Sequence, residues 1–335
     1  MDIFGHMPDG EPVGAVEIAG GGLKATILSY GSLLHDLRLK GHDAPLVLGY
    51  GDLNDQFPPS PYLGANCGRS INRIRNGALT IDGKSYQLDR NYLEKHNLHG
   101  GANGISARNW KFVAVSKDEA VLEVRCPDGN MGFPGNLDVR ATYRLTGKGV
   151  LSVTLEAVTD APTVCNLSHH SYFNLQDGGR ASILDHDLQI HAAAYLPVDG
   201  ELIPDGRVLP VAGTEFDFRQ MRPIRHGAGG KQTAYDLNYC VSAARGPLRH
   251  VASARSKASG VEMQCWSGEP GVQLYAGGGM GRPALSQEGF AYEAFAGFCL
   301  EAQVWPGFAE YAYFPQAILH PGETSVQVTE YRFWR

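Results

Sequence analysis

Apolar residues recur at every second position along most of this chain, and that alternation is the feature that most restricts how it can fold. Trp110, Phe112 and Ala114 form one such run; Ala120, Leu122, Val124 and Cys126 a second; Val139, Ala141, Tyr143 and Leu145 a third; Leu151, Val153, Leu155 and Ala157 a fourth. Side chains of an extended segment point alternately to opposite faces, so each run predicts a half-buried strand. No long helical period competes. Turn signals such as Asp82-Gly83, Asp128-Gly129, Asp177-Gly178-Gly179, Asp199-Gly200 and Asp205-Gly206 separate the runs at a spacing that suits a meander or sandwich. The 42 glycines and 19 prolines are more than helices tolerate, and they point the same way. The stretches 225–233 and 280–287 read as surface loops over a cleft.

A chain of 335 residues exceeds the usual domain size, yet large β-sandwiches commonly form one unit of more than two hundred residues. No internal repeat, low-complexity tract or long polar linker interrupts it, so residues 1–335 are expected to form a single domain. A formal charge of -6 with 19% charged residues repels phosphate backbones and anionic membranes, which excludes nucleic acid and membrane as expected partners. The first residues have neither a basic nor an apolar leader, and no apolar stretch is long enough to span a bilayer, so a soluble, cytoplasmic protein is expected. The six cysteines are spread singly without a Cys-x-x-Cys pair and read as reduced core residues. Sandwich edges are compatible with a monomer or a homodimer.

Five segments carry polar residues that a plain sandwich does not need: 68–74, 97–101, 166–175, 235–239 and 297–303. In the last, Phe298, Leu300 and Ala302 share one strand face, and Cys299, Glu301 and Gln303 the other. The first set is core-like, so Glu301 points to whatever lies opposite. A lone strand glutamate is most often solvated. Cys299 and Gln303, however, suit a small polar cavity better than bulk water. By the same phase Gln273 and Tyr275 face away from Val272, Leu274 and Ala276, which makes Gln273 a second cavity residue. In 166–170, Asn166, Ser168 and His170 align and His169 faces the other way.

The histidines raise a metal alternative, with His96 and His99 three apart and His169 beside His170. Adjacent strand histidines cannot chelate one ion, 97–101 reads as a loop, and no His-Glu-x-x-His motif or thiolate cluster adds ligands. No metal is therefore expected, and a satisfied structural role is the plain alternative for any one of these histidines. Arg73 is either held against the core or an ordinary surface arginine. The runs 20–22 and 277–279 fit neither dinucleotide nor P-loop glycine spacing.

An ordered set of short motifs runs through nearly the whole chain. It comprises Gly68-Arg69 with Asn72-Arg73-Ile74, Asn97-Leu98-His99-Gly100-Gly101, His170-Ser171-Tyr172-Phe173-Asn174-Leu175, and Tyr195-Leu196-Pro197-Val198-Asp199. It continues with Gly213-Thr214, Phe216-Asp217, Asp236 with Asn238, Pro270-Gly271-Val272-Gln273 with Tyr275, Gly297-Phe298-Cys299-Leu300-Glu301, Phe314-Pro315 and Pro321-Gly322-Glu323. Each piece is weak, but in this order they resemble the aldose 1-epimerase (galactose mutarotase) family. The resemblance implies an all-β fold, a large twisted antiparallel β-sandwich of the galactose mutarotase-like type, with an open cleft for a monosaccharide and no cofactor. It implies that Glu301 is the general base and His170 the general acid. Arg73, His99, Asp236 and Gln273, with Asn72 beside them, are implied to bind the sugar. The chain departs from the family's pattern at His169, usually asparagine, at Leu237, where histidine is common, and at Glu310-Tyr311-Ala312, where Asn-Gln-Pro is frequent. These changes are expected to alter the cleft wall, so galactose is only the default sugar.

The implied reaction explains the residue types. Opening a hemiacetal ring takes a proton from the anomeric hydroxyl and delivers one to the ring oxygen, so a base and an acid must flank the anomeric carbon. An imidazole titrates near neutrality and can exchange roles with the carboxylate on reclosure. Three rival readings stay open at this level. A glycoside hydrolase would use Asp236 and Glu301 as its carboxylate pair. A non-catalytic sugar-binding protein would keep the fold without turnover. A sugar-phosphate epimerase is conceivable, but beyond Arg69, Arg73 and Arg75 no cluster of arginines suggests a phosphate clamp.

Overall fold

The computed structural model describes residues 1–57, 62–227 and 232–335. Residues 228–231, within the predicted 225–233 loop, lie outside the described residues. Among the described residues the helical content is limited to short 3-10 turns, and strands make up the architecture. The long ladders are antiparallel.

The largest sheet has nine strands in the order Lys111–Val115, Glu119–Cys126, Leu137–Thr146, Val150–Thr159, Ser325–Trp334, Glu262–Ser267, Arg249–Arg255, Asp187–Ile190 and Arg222–Pro223. In its central strands the sequence alternation is realised directly. Leu137, Val139, Ala141, Tyr143 and Leu145 are buried, while Asp138, Arg140 and Arg144 face outward. Cross-strand ion pairs Arg140–Glu123 and Arg144–Glu119 cover the outer face. The edge strand Lys111–Val115 departs from expectation: Trp110, just before it, is buried, but Ala114 is exposed. A register shift between Phe112 and Ala114 carries the strand away from the core at the sheet edge, where one neighbour is missing.

The nine-stranded sheet packs on two others, an open sandwich in which, among the described residues, no sheet closes on itself. One is a four-stranded N-terminal meander, Asp2–His6, Pro12–Gly20, Leu23–Leu28 and Leu33–Leu39. The other has five strands in the order Leu209–Pro210, Ala194–Tyr195, Asp236–Cys240, Gly271–Tyr275 and Cys299–Gln303. Side chains of all three meet in one core, where Val16, Ile18 and Leu37 join Tyr143, Leu155 and Tyr331, and Val272, Leu274 and Leu300. Each such burial contributes about 1.5–3 kcal/mol. Among the described residues no helix is long and apolar enough to cross a membrane, and all six cysteines are unpaired.

Arg69 ties the irregular 68–74 segment to this frame. Its buried guanidinium donates to the carbonyls of Pro134 (2.7 Å), Cys126 (3.0 Å) and Pro127 (3.0 Å) and to Thr163 Oγ1 (3.0 Å). Arg69→Met strands these acceptors without partners, and the expected cost is at least about 3 kcal/mol, read as a lower urea midpoint at unchanged slope. An unchanged midpoint would show that the segment is held by its other contacts.

Candidate active site

The five-stranded sheet presents one apolar and one polar face. Its register sets Asn238 beside Gln273 and Gln273 beside Glu301; in the next row Asp236, Tyr275 and Cys299 are neighbours; in the row on the other side, Cys240, Gly271 and Gln303. Positions two apart share a face, so these nine residues form a single array. Leu237, Leu274, Leu300, Tyr239, Val272 and Ala302 take the opposite face into the core. The phase argument for Glu301 and Gln273 is thus realised. Gly271 is required in the array: a Cβ there would stand 2.4 Å from Asn238 Oδ1.

The array looks into a cleft of about 580 Å³. All seven sequence-predicted residues line it: Asn72, Arg73, His99, His170, Asp236, Gln273 and Glu301. Arg73–Ile74 pairs with Asn97–Leu98 in a two-stranded ladder, which brings Arg73 and His99 to the same wall. Beyond the ladder the chain turns through left-handed backbone at Asn72 and His99, and their backbones lock together, the His99 amide donating to the Asn72 carbonyl at 3.1 Å. Glycine follows His99 because a Cβ at Gly100 would lie 2.0 Å from the Gly68 carbonyl oxygen.

The Asn72 amide donates to His99 Nδ1 at 3.3 Å. Burial, with His170 and Arg73 adding to it, holds the His99 imidazole well below its ordinary range, so the ring is neutral. With Nδ1 accepting, the ring proton sits on Nε2, the remaining donor.

Asp236 is held on both oxygens, by Arg73 Nη2 at 3.2 Å and by the Gln273 side-chain amide at 2.6 Å. Gln303 lies one layer deeper and donates to Gln273 Oε1 (3.3 Å) and Asn238 Oδ1 (3.0 Å). Because the Gln273 carbonyl is engaged behind, its NH₂ must face Asp236. The strand phase pointed Gln303 toward the cavity, but only the packing shows that it supports Gln273 from behind.

His170 Nε2 and Glu301 Oε2 are 3.5 Å apart, and both side chains are buried. The His170 ring stacks on Tyr172 (centroids 5.2 Å, 22°) and meets the edge of His99 (5.2 Å). Burial pushes the Glu301 carboxyl well above its usual range, and the charge of Asp236 pushes it further, against the opposing pull of Arg73. Burial also lowers the His170 imidazole to about 4, with Arg73 contributing. These directions favour a single proton on the pair, on the Glu301 carboxyl, with the ring neutral. Moving that proton across the contact gives carboxylate and imidazolium at the same net charge, the tautomer that base and acid roles require.

Tyrosines complete the walls. Tyr62, Tyr92, Tyr172 and Tyr275 line the cleft, and the Arg73 guanidinium stands over the Tyr92 ring at 4.7 Å. The phase of Gln273 already placed Tyr275 there. Tyr62 and Tyr92 lie in irregular chain, where no period reveals a facing. The 280–287 stretch reaches the cleft through Arg282, preceded by Gly278 and Gly279.

One expectation is corrected, and two alternatives that the sequence raised are not assembled. The three departures from the family pattern do not line the cleft. His169 turns into the core between Asn66 (3.0 Å) and Ser171 (2.7 Å), Leu237 sits on the apolar face, and Glu310 accepts the Arg75 amide at 3.0 Å. The phosphate clamp is not assembled either, since Arg69 is spent on carbonyls and Arg75 on Asp199 and Pro204. His96 does not join His99: its Nδ1 accepts from the Asn76 amide at 2.9 Å and its Nε2 meets Glu201 at 3.1 Å, a satisfied structural histidine.

Comparison with known proteins gives the family and the fold. The family model described as aldose 1-epimerase matches residues 15–332. Galactose mutarotase of Rattus norvegicus is 37% identical over 338 residues, 99% of this chain and 97% of that protein. Aldose 1-epimerase of Escherichia coli is 32% identical, covering 97% of this chain and 96% of its own. Among solved structures, an aldose epimerase homologue from C. elegans superimposes with a TM-score of 0.89 at 27% identity, over 96% of this chain and 99% of that one. Galactose 1-epimerase from Lactobacillus acidophilus gives 0.84 at 27% identity, over 98% and 96%. A family match across nearly the whole chain, with relatives above 30% identity end to end, means that this chain belongs to the aldose 1-epimerase family.

Proposed function

We propose that Glu301 and His170 are the base and acid with which this aldose 1-epimerase interconverts the α and β anomers of a free aldose. Asn72, Arg73, His99, Asp236 and Gln273 hold the remaining sugar oxygens. The observation that carries this reading is the 3.5 Å approach of the buried Glu301 carboxyl to the buried His170 imidazole in the wall of the cleft. The anomeric and ring oxygens of a cyclic sugar are bonded to the same carbon, so two groups this close can serve both.

The Glu301 carboxylate takes the proton of the anomeric hydroxyl, and the electrons of that O–H bond form the C1 carbonyl. The bond from C1 to the ring oxygen breaks, and the ring oxygen takes the proton of His170 Nε2. Rotation about C1–C2 presents the other carbonyl face. Reclosure runs through the same pair with roles exchanged. Meanwhile the His99 Nε2 proton, the Arg73 guanidinium and the Asp236 carboxylate grip the rest of the sugar, so that only C1 needs to move. Asp236 is already engaged by Arg73 and Gln273, which favours a gripping role over membership of a hydrolase's carboxylate pair.

Polarimetry of freshly dissolved α anomers of galactose, glucose, xylose, arabinose and fucose tests this reading. Acceleration is expected for at least one aldose, and galactose, the sugar in the relatives' names, is the first to try. No acceleration of any aldose by folded protein would leave the sugar-binding reading. Gln303→Leu is expected to raise KM roughly 2–10-fold with a smaller effect on kcat, because Gln273 loses the bond that aims it at Asp236. An unchanged KM would mean that Asp236 alone orients Gln273.

Residues 1–335 are read as one domain, supported by a core that runs from Val16 to Phe333. A cytoplasmic location is supported by six unpaired cysteines, five of them buried.

A further inference from the structure

Cys299 has no part in the chemistry above, yet it stands two residues before Glu301 on the same strand and face. His170, from the 166–175 segment, stands 3.5 Å from Glu301. Among the described residues, a sulfur of Cys299, a ring nitrogen of His170 and a carboxylate oxygen of Glu301 form the group with metal-ligand character, all within 4.8 Å of one another. We infer that a thiophilic divalent cation, Zn²⁺ by preference, binds at Cys299, His170 and Glu301 and displaces the sugar from the catalytic centre.

The donor set selects the ion. A thiolate with an imidazole suits zinc and disfavours magnesium or calcium, which seek oxygen ligands alone. Tetrahedral zinc holds sulfur at about 2.3 Å and nitrogen or oxygen at about 2.0–2.2 Å, which sets its ligands roughly 3.5 Å apart. His170 and Glu301 already stand at 3.5 Å, and Cys299 Sγ lies within 4.8 Å of both, so it needs to close in by at most roughly an ångström. His170 presents Nε2, the nitrogen that already faces Glu301, as the imidazole ligand. The ion reaches the trio through the cleft that His170 and Glu301 line, and its fourth position stays open to water.

Protons balance. The ion displaces the thiol proton of Cys299 and the proton shared by His170 and Glu301. One dipositive ion replaces two protons, and the buried net charge is unchanged. Occupation removes base and acid together. The block on mutarotation rests on the catalytic reading of this pair, whereas the binding does not.

Cobalt(II) is the probe, titrated into tag-free protein and followed by thiolate-to-cobalt charge-transfer absorption. The expected result is a band saturating at one equivalent, absent in Cys299→Ser and suppressed by excess galactose. Zn²⁺ is expected to inhibit wild-type mutarotation, and half-inhibition of Cys299→Ser is expected to need at least about tenfold more zinc, since even an outer partner of a metal ligand is worth that much. Absence of the band in wild-type protein overturns the proposal without recourse to any variant. Equal zinc sensitivity in Cys299→Ser overturns it as well, and would point to cation binding elsewhere, as at the paired His191 and His250. A normal cobalt spectrum with no mutarotation would count against the catalytic reading alone.

Discussion

Glu301→Gln is expected to slow mutarotation at least about a hundredfold while leaving the protein folded, because a positioned general base is worth about 10²–10⁴ in rate, or roughly 3–5 kcal/mol of barrier. The substitution is chosen to be narrow. An amide has the shape of the carboxyl and can still hydrogen bond, but it cannot take a proton from the anomeric hydroxyl. Glutamine keeps the shape and the neutral, hydrogen-bonding character of the protonated carboxyl that burial and Asp236 favour, so no loss of stability is expected. The loss should fall on kcat, because the groups that grip the sugar ring are untouched and KM reports on them. Polarimetry at saturating sugar reads the effect. A near-normal rate would remove Glu301 from the base role, and a collapsed urea midpoint would show that its part is structural.

His170→Asn is expected to cost about as much, roughly 10²–10⁴-fold, and to change the pH profile in a way that a packing defect would not. The working pair holds one proton between two groups. Below about pH 4 the wild-type imidazole takes up a second proton while Glu301 stays protonated, no base is left, and kcat/KM falls. At the other end the pair loses its single proton and no acid is left. Burial and Asp236 hold that proton on Glu301 well above the usual carboxyl range, which sets the upper limb of the bell. In His170→Asn the acid limb near pH 4 disappears. The residual rate then rises with pH through the one remaining ionisation, as Glu301 becomes a carboxylate. A variant that retains the wild-type acid limb would show that another group titrates there. His99 is no substitute, since its neutral ring is bound through Nδ1 to the Asn72 amide.

Strand phase alone was enough to orient Glu301 and Gln273, because a period of two is a local property that any extended segment expresses wherever it is placed. The apolar alternation through Val139–Leu145 and Leu151–Ala157 likewise determined an all-β chain with a packed inner face. Of the other five predicted residues, Asn72, Arg73, His99 and Asp236 carry no such local mark, and for His170 the phase separated it from His169 without saying which of the two meets the cleft. Arg73, read singly, could have lain on the surface, and His99 could have been as structural as His96 proved to be. Their grouping was legible only through resemblance to a family. Tertiary structure decided what depends on partners distant in sequence. It placed Gln303 behind Gln273, turned His169 into the core and His170 into the cleft, and kept Leu237 and Glu310 away from the cleft wall. It also brought Tyr62 and Tyr92 to that wall and let the edge strand at Ala114 swing into solvent. The physical reason is the same in each case. Alternation states which side chains travel together, whereas strand order and register, set by the burial of all three sheets in one core, determine what they meet.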